Sequence, residues 1–458
     1  MQAGLSVWVE LVGIGRLKKN LGNVVSNKNY VPLNEFILLQ RGFDLPQSDR
    51  ISGDIPVVAS TGVAGFHNEY KVDAPGVVIG RSGSIGGGQY IKEKFWPLNT
   101  TLWVKDFKGH DARYVYYLLK SIDFHRFNVG TGVPTLNRNH LSSVLVKNLG
   151  YINEKVIAKT LGDLDDKIHL NNQINQTLES IAQALFKSWF IDFDPVRAKI
   201  VAKQEGNNPE FAAMCVISGK SEVELQQMAE DDLAELRATA ALFPDELVES
   251  ELGEVPKGWE VTRFSNIVEK YIDNRGKTPP IQSEGIPLLE VKHLPEFSLN
   301  PDLNTDKKVS LETFNTWFRA HLQENDLIMS TVGTIGRLCI VPANRTLAIA
   351  QNILGLRFKL NKVNPLFMYY QMNSAKFRND VDARLVITVQ SSIKRKDLET
   401  IDLLQPDIKI QNIFAEKIKP FVLSQQSDES LKLIDIRDAL LPKLLSGEIT
   451  LISDEDRK

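Results

Sequence analysis

The strongest constraint on this chain is that it repeats itself at long range. Residues 77–86, Val-Val-Ile-Gly-Arg-Ser-Gly-Ser-Ile-Gly, return 250 positions later at 327–336 as Leu-Ile-Met-Ser-Thr-Val-Gly-Thr-Ile-Gly. Further landmarks follow in the same order. Asn99 and Asn352 each stand between an apolar stretch and a strand-like run, and Tyr116-Tyr117 and Tyr369-Tyr370 each open a helix-like segment. Val133-Pro134-Thr135-Leu136-Asn137-Arg138 then corresponds to Gln390-Ser391-Ser392-Ile393-Lys394-Arg395. Solenoid repeats have periods of about 20 to 50 residues, so this longer period denotes two copies of a whole domain with its connecting helix. Such a chain can present two similar surfaces to a target that has two halves.

Each copy reads as mixed strand and loop with some helix. In residues 28–150, short apolar or alternating runs (Ile55–Ala59, Gly76–Ile79, Thr101–Val104) are separated by Gly- and Pro-rich turns, and Arg113–Lys120 has helical character. The second copy, 257–405, opens at Pro256-Lys257-Gly258-Trp259 and repeats the style with Ile286–Val291, Asp326–Met329 and Ile353–Phe358.

Between the copies runs a heptad seam. Ile157, Leu161, Leu164, Ile168, Asn171, Asn175, Leu178, Ala182, Leu185 and Trp189 alternate in steps of four and three, which predicts a long helix with one buried stripe. A helix over 155–190 would be about 54 Å long, an upper bound of about 16 base-pair steps. The two Asn residues leave alternatives open: buried amides that fix register, or a solvent-facing patch where helices diverge. Proline in Phe193-Asp194-Pro195 should end the helix. A second seam, Leu433, Ile436, Leu440 and Leu444, closes the chain, with Gly447 as its stop. Pro420 should break or kink any helix beginning near Gln411. Two seams, one after each copy, invite antiparallel pairing and a pseudo-two-fold relation, with the first seam buried against the C-terminal helix. The expected fold is therefore α/β (α+β), two pseudo-symmetric domains joined by two long antiparallel, coiled-coil-like helices.

Charge is placed unevenly. The net charge is −3, but Glu222–Glu254 holds eleven acids and one base, and the remainder of the chain carries +7. Residues 28–150 carry fourteen Lys/Arg against ten Asp/Glu, and 257–405 carry twenty against sixteen. A basic surface facing nucleic acid is thus permitted, not demonstrated. Two lone cysteines, Cys215 and Cys339, give neither a disulfide framework nor a Cys-based zinc site and suit a reducing cytosol. Gly4–Ile14 is apolar but short, is interrupted by Glu10, and has its basic residues after it (Arg16, Lys18, Lys19). That order suits a strand or docking arm rather than a secretory signal, and no apolar run approaches the roughly 20 residues of a membrane span.

Several stretches resemble specificity subunits of type I restriction–modification systems. The longest is Leu164-Asp165-Asp166-Lys167-Ile168-His169-Leu170-Asn171-Asn172-Gln173-Ile174-Asn175-Gln176-Thr177-Leu178-Glu179, continued by Ala184-Leu185-Phe186-Lys187-Ser188-Trp189-Phe190-Ile191-Asp192-Phe193-Asp194-Pro195-Val196. It is similar to that family's central conserved region. Arg437-Asp438-Ala439-Leu440-Leu441-Pro442-Lys443-Leu444-Leu445-Ser446-Gly447-Glu448-Ile449 resembles the C-terminal conserved region. Leu252–Trp259 resembles the lead-in to a second recognition domain, and Gly132–Asn137 the close of a first. The resemblance spans residues 28 to 449.

It implies a target recognition domain (28–150), a helical spacer (151–200), a second recognition domain (257–405) and a C-terminal conserved helix (406–449); the sequence itself adds an N-terminal arm (1–27), which does not fit the family's pattern, an acidic insertion or linker (201–256) and a tail (450–458). It further implies a cytoplasmic, prokaryotic protein that binds double-stranded DNA. Each domain would read one half of a split sequence. Two modification (methyltransferase) subunits and two restriction (translocase/nuclease) subunits would be its partners. No cofactor is expected on this chain; S-adenosylmethionine, ATP and Mg²⁺ belong to those partners.

The residues offer little catalytic chemistry. Asn208-Pro209-Glu210-Phe211 puts a carboxylate where an amino-methyltransferase loop needs a second proline, and Gly83-Ser84-Ile85-Gly86-Gly87-Gly88 lacks nucleotide-loop spacing. Glu290-Val291-Lys292, with Asp273 upstream, has the order of a metal-dependent nuclease. The first copy carries Val57-Val58-Ala59-Ser60-Thr61 there, which favours a plain strand. His67, His110, His125 and His140 lack paired ligand spacing and are expected in surface or loop positions. Two other readings stay open: a single-chain restriction or methyltransferase enzyme, and a coiled-coil scaffold without a DNA role.

Base edges are read by Arg, Lys, Asn, Gln, Ser and Thr, and phosphates by Arg, Lys and backbone amides. Around the repeated Gly-x-Ile-Gly turn the candidates are Arg81, Ser82 and Gln89, then Thr331, Thr334 and Arg337. The segments closing each domain add Thr131, Thr135, Asn137 and Arg138, then Arg384, Thr388, Gln390, Ser391 and Lys394. Each fits equally well as a turn former or solvated side chain, and the glycines are turn formers first.

Overall fold

The structure, a computed structural model, describes residues 17–19, 29–130, 132–273, 277–296, 298–386, 391–425 and 429–451. The apolar stretch Gly4–Ile14 lies outside the described residues. The chain divides into two compact units, Met1–Asn172 with Asp428–Lys458, and Gln173–Ser427.

In the first unit, β1 (Leu17–Lys19), β2 (Tyr30–Pro32), β3 (Leu38–Arg41), β4 (Ile55–Ala59), β5 (Gly62–His67), β6 (Gly76–Gly80), β7 (Gly86–Ile91), β8 (Trp96–Pro97) and β9 (Thr101–Asp106) precede α1 (Ala112–Ser121), β10 (Leu145–Lys147) and the long α2 (Tyr151–Phe190). The second unit continues with four helices, α3 (Asp194–Gln204), α4 (Pro209–Ser218), α5 (Glu222–Gln226) and α6 (Glu230–Ala241). Its strands are β11 (Leu247–Ser250), β12 (Gly253–Pro256), β13 (Glu260–Arg263), β14 (Val268–Ile272), β15 (Ile286–Leu289), β16 (Lys308–Val309), β17 (Leu327–Ser330), β18 (Leu338–Ile340), β19 (Ala348–Ile349) and β20 (Ile353–Phe358). Then come α7 (Pro365–Asn373), β21 (Asp402–Gln405) and α8 (Ile408–Gln425). Finally α9 (Glu429–Leu445) and β22 (Ile449–Leu451) belong to the first unit, where β22 pairs antiparallel with β1.

The repeat is a repeat of topology. The first unit has a four-stranded sheet in the order β3-β9-β6-β7, and the second has β14-β20-β17-β18. A three-stranded sheet accompanies each, β5-β4-β8 and β16-β15-β19, with β4/β8 and β15/β19 parallel and the other neighbours antiparallel. The small pair β2/β10 is matched by β13/β21. Strand periodicity explains the apolar runs: alternate side chains point to opposite faces. Val77 and Ile79 of β6 enter the helix-side core while Val78 faces a second cluster with Val58, Phe95 and Trp103. Leu327 and Met329 of β17 do the same on one face, and Ile328 on the other. A strand buried on both faces has to be apolar throughout.

The helix α2 spans 40 residues, about 60 Å. Its seam is covered in two parts. Ile157, Leu161, Leu164 and Ile168 are buried in the first unit's core with Leu433, Leu440 and Leu444 of α9, and Ile436 packs against that core. Here α9 runs antiparallel to α2: Asn171 Nδ2 donates to Glu429 Oε2 at 2.9 Å and Ser430 Oγ at 3.3 Å, while Arg437 Nη1 donates to Asp165 Oδ1 at 2.8 Å. Asn171 is thus a register amide with partners rather than a solvated patch, and Asn175 is half-buried. Ala182 and Trp189 are fully buried in the second unit's core with Phe186 and Phe190, Leu185 packs against it, and Leu178 is half-buried. Phe414 of α8 packs on Phe186, Trp189 and Phe190, so the segment 406–449, expected as one C-terminal helix, covers the seam with two, α9 on its first half and α8 on its second. Large aromatics favour a different partner from the aliphatic half of the stripe.

Two alternatives narrow. Pro420 does not break its helix, since α8 runs through it, and Pro442 sits inside α9. The acidic segment is a folded insertion rather than a linker. It folds as α4–α6 and the β11/β12 hairpin, burying Ala213, Met214, Ile217, Leu225, Leu236, Ala240 and Phe243 in the second unit's core. Gly447 adopts φ +68° and ends α9 as the sequence predicts. The α2 helix closes after Phe190, with Phe193 at φ +57° and Pro195 in the first turn of α3. Leu161→Ala should lower unfolding free energy by about 2–5 kcal/mol, as buried Leu→Ala changes do, read from the urea midpoint.

Candidate nucleic-acid interface

In both units the turn after the central strand is built from left-handed glycines. Gly83 and Gly86 have φ +83° and +75°, and Gly333 and Gly336 both have φ +80°. Side chains rarely tolerate that region, which accounts for the repeated Gly-x-Ile-Gly spelling.

The turn is zippered to two other segments. Arg81 and Ser82 N–H donate to the Thr100 carbonyl (2.8 and 3.1 Å), Gly83 N–H to the Pro134 carbonyl (3.0 Å), and Leu136 N–H to the Arg81 carbonyl (2.8 Å). In the second unit Thr331 N–H donates to the Asn352 carbonyl (2.9 Å), Gly333 N–H to the Ser391 carbonyl (3.1 Å), and Ile393 N–H to the Thr331 carbonyl (3.0 Å). The same three-segment frame is therefore made twice. It also corrects one landmark: Asn352 does the work of Thr100, not of Asn99. Asn99 instead pairs its side-chain amide with Asp44.

The sequence candidates divide on this frame. Gln89 donates to the Ala59 carbonyl at 2.9 Å, Arg337 to the Leu294 carbonyl at 3.3 Å, and Thr331 to the Asn352 carbonyl at 3.2 Å. Arg384 is held by the Asp380 carbonyl (2.7 Å) and Thr400 Oγ1 (3.2 Å). Asn137 caps a short helix by accepting from Asn139 N–H. Arg81 reaches the Asn99 carbonyl at 3.4 Å, and Thr135 the Val133 carbonyl at 3.1 Å. Ser82 and Ser391 are half-buried within the frame, whereas Arg138, Thr334 and Lys394 are exposed. Thr131, Thr388 and Gln390 lie outside the described residues.

Each frame is mounted on α2 through the tyrosine helix of its unit. In the first unit Tyr117 OH donates to Asp165 Oδ2 at 2.6 Å, which raises the phenol's pKa through burial and the adjacent carboxylate. Arg113 donates to Asp166 Oδ2 and to the Gly162 carbonyl, both at 2.9 Å, and Lys92 Nζ donates to Asp166 Oδ1 at 2.9 Å. His110 Nδ1 lies 2.9 Å from Glu154 Oε1, a fully buried carboxylate. In the second unit Tyr370 OH donates to Glu179 Oε2 at 3.1 Å, and the rest of the mount is aromatic: Phe186 and Phe190 lie 5.5 and 4.9 Å from Phe367. Sequence reasoning missed this set. Its signal was Gly162, a glycine inside a heptad helix four residues ahead of Asp166.

Comparison with known proteins decides the family. A family model described as the type I restriction modification DNA specificity domain matches residues 26–180 and 256–433. The chain belongs to that type I specificity family. It is 31% identical over 346 residues to the type I restriction enzyme HindI specificity subunit of Haemophilus influenzae, covering 69% of this chain and 71% of that one. It is 25% identical over 353 residues to the MjaIX specificity subunit of Methanocaldococcus jannaschii, covering 74% and 70%. A crystal structure of a type I restriction–modification S subunit from M. genitalium shares the fold, with a TM-score of 0.54 at 12% identity over 93% of this chain and 98% of that one.

Specificity subunits of this family are non-catalytic, which sets aside the single-chain enzyme, and their DNA-specificity domain sets aside a scaffold without a DNA role. The residues suggestive of chemistry have structural work in this type I specificity chain. Glu290 pairs with Lys307 at 2.7 Å, which holds its carboxyl below the usual range. Asn208 caps α4 with Pro209 in its first turn. His67 is not the surface or loop residue expected: it ends β5, is buried and accepts from Ile51 N–H, whereas His110 lies in the loop between β9 and α1, as expected, and stacks on Phe36 at 3.5 Å. His125 and His140 are exposed. Among the described residues no cluster of His, Cys, Asp or Glu is arranged to hold a metal, and no helix is long and apolar enough to cross a membrane.

The Arg113 hydrogen bond, with help from Lys92, lowers the Asp166 carboxyl from 3.8 to about 2. A depressed folded-state pKa contributes stability that is complete above the unfolded value and lost as pH falls toward the folded one. The stability gap between wild type and Asp166→Asn should therefore be constant above pH ~4 and close between pH ~4 and ~2, read by denaturant titration at each pH. The gap should be small, because Asp166 is half-exposed.

Proposed function

We propose that this chain reads a two-part DNA sequence, one half with each recognition domain, and that the continuous α2 helix fixes the number of bases between the halves. Two modification subunits and two restriction subunits dock on it. S-adenosylmethionine, ATP and Mg²⁺ act on those partners, in the cytoplasm of a prokaryote.

One observation carries the reading: the same three-segment backbone frame bears different side chains in the two units. Arg81 is matched by Thr331, Ser82 by Val332, Thr135 by Ser392 and Asn137 by Lys394. A fixed frame with exchanged polar groups is what reading two different half-sites requires, since base discrimination depends on which donors and acceptors are offered. Arg138 and Arg395 are the pair that does not change, as suits contact with phosphate, which carries no sequence information.

The target is found by mapping methylated adenines genome-wide with and without this gene. Exchanging residues 28–150 for the corresponding domain of another subunit should then change one half of the methylated motif and leave the other half and the gap intact. A change in both halves would refute the modular reading. Arg138→Ala should weaken binding to matched and mismatched duplexes alike and reduce the log–log salt slope by about one, measured by fluorescence anisotropy with the modification subunits present.

A further inference from the structure

The mount of the first recognition domain has an unusual seat. Gly162, in the interior of α2, is buried, and a Cβ there would lie 2.4 Å from Arg113 Cζ and 2.5 Å from its Nε. Glycine weakens a helix interior relative to alanine. Its use here is to let the Arg113 guanidinium lie flat on the helix and reach both the Gly162 carbonyl and Asp166.

The neighbouring contacts come from separate points. Arg113 and Tyr117 stand one turn apart on α1, Lys92 follows β7, and His110 meets Glu154. From Glu154 to Asp166 is about 18 Å along the helix. Two bodies joined at one point can pivot; bodies joined by directional bonds at several points cannot.

The second unit is mounted differently at the corresponding position. Leu366 of α7 occupies the position of Arg113 and packs into an apolar core.

We propose that the seating of Arg113 on Gly162 and Asp166 is a positioning device that sets how strictly bases between the two half-sites are counted. The proposal rests on the two-part reading above. Neither residue needs to touch DNA. They act by holding the first reader at one angle and one height on the helix, so that a site one base longer or shorter presents its first half out of reach.

The test uses the complex of this chain with its modification subunits. The substrates are duplexes carrying the mapped motif with its own gap, one base more and one base fewer. The wild-type map comes first: a motif that is not split defeats the two-part reading itself, independently of the pin. Given a split motif, Gly162→Ala evicts the guanidinium while improving helix propensity. It should leave the melting temperature unchanged or raised. It should also raise methylation of the altered-gap duplexes, relative to the correct one, by about ten-fold. Arg113→Gln should shift the same ratio in the same direction. A wild-type gap ratio in both variants would overturn the proposal. So would a loss of methylation spread evenly over all three duplexes, because that is the signature of a merely structural contact.

Discussion

A helix of forty residues in water is held by what covers its apolar stripe rather than by its own propensity. Everything else in this chain depends on how the stripe of α2 is covered. Its first half is aliphatic and takes Leu433, Leu440 and Leu444 of α9, and its second half is aromatic and takes Phe414 of α8. At the division the stripe turns polar. Asn171 meets Glu429 and Ser430 there with directed hydrogen bonds, which fix the pairing at one register. A continuous hydrophobic seam would tolerate sliding by a heptad; an amide that must find its partner does not.

On that support the same strand order is built twice, and the units differ where chemistry can vary without disturbing the frame. At the mouth of the turn the first unit has Gly80, whose Cβ would lie 2.0 Å from the Ser84 carbonyl oxygen. The second has Ser330, whose hydroxyl donates to the corresponding carbonyl of Thr334 at 2.5 Å. One copy closes the turn by removing a side chain and the other by using one. The main-chain path is the conserved quantity, and side chains are free to be exchanged upon it.

This explains what the sequence discloses and what it conceals. Period-two burial makes Val77-Val78-Ile79 and Leu327-Ile328-Met329 readable as buried strands, and four left-handed glycines make the turns readable. Long-range choices leave no such local mark. Nothing near Trp189 says that Phe414 rather than Leu440 will cover it. Nothing near Gln89 or Arg337 says that a distant carbonyl will take the side chain. Asn99 and Asn352 share a side chain but not a place in the frame, because it is the Thr100 carbonyl that Asn352 matches. His110 reads correctly as a loop histidine, but its partner, Glu154, is 44 residues away and leaves no local mark.

The acidic segment shows how composition misleads when read as an average. Leu225, Leu236, Ala240 and Phe243 turn inward, Phe243 packing edge-on against Trp189 at 5.3 Å. All eleven acids from Glu222 to Glu254 are left exposed. Asp245 and Glu246 pair there with Lys203 and Lys257, and the remaining acids concentrate negative charge on this part of the second unit, so the chain's net −3 says little about the charge of its other surfaces. Net charge describes solubility; the sign that a duplex meets is set by which face of each helix the core has claimed.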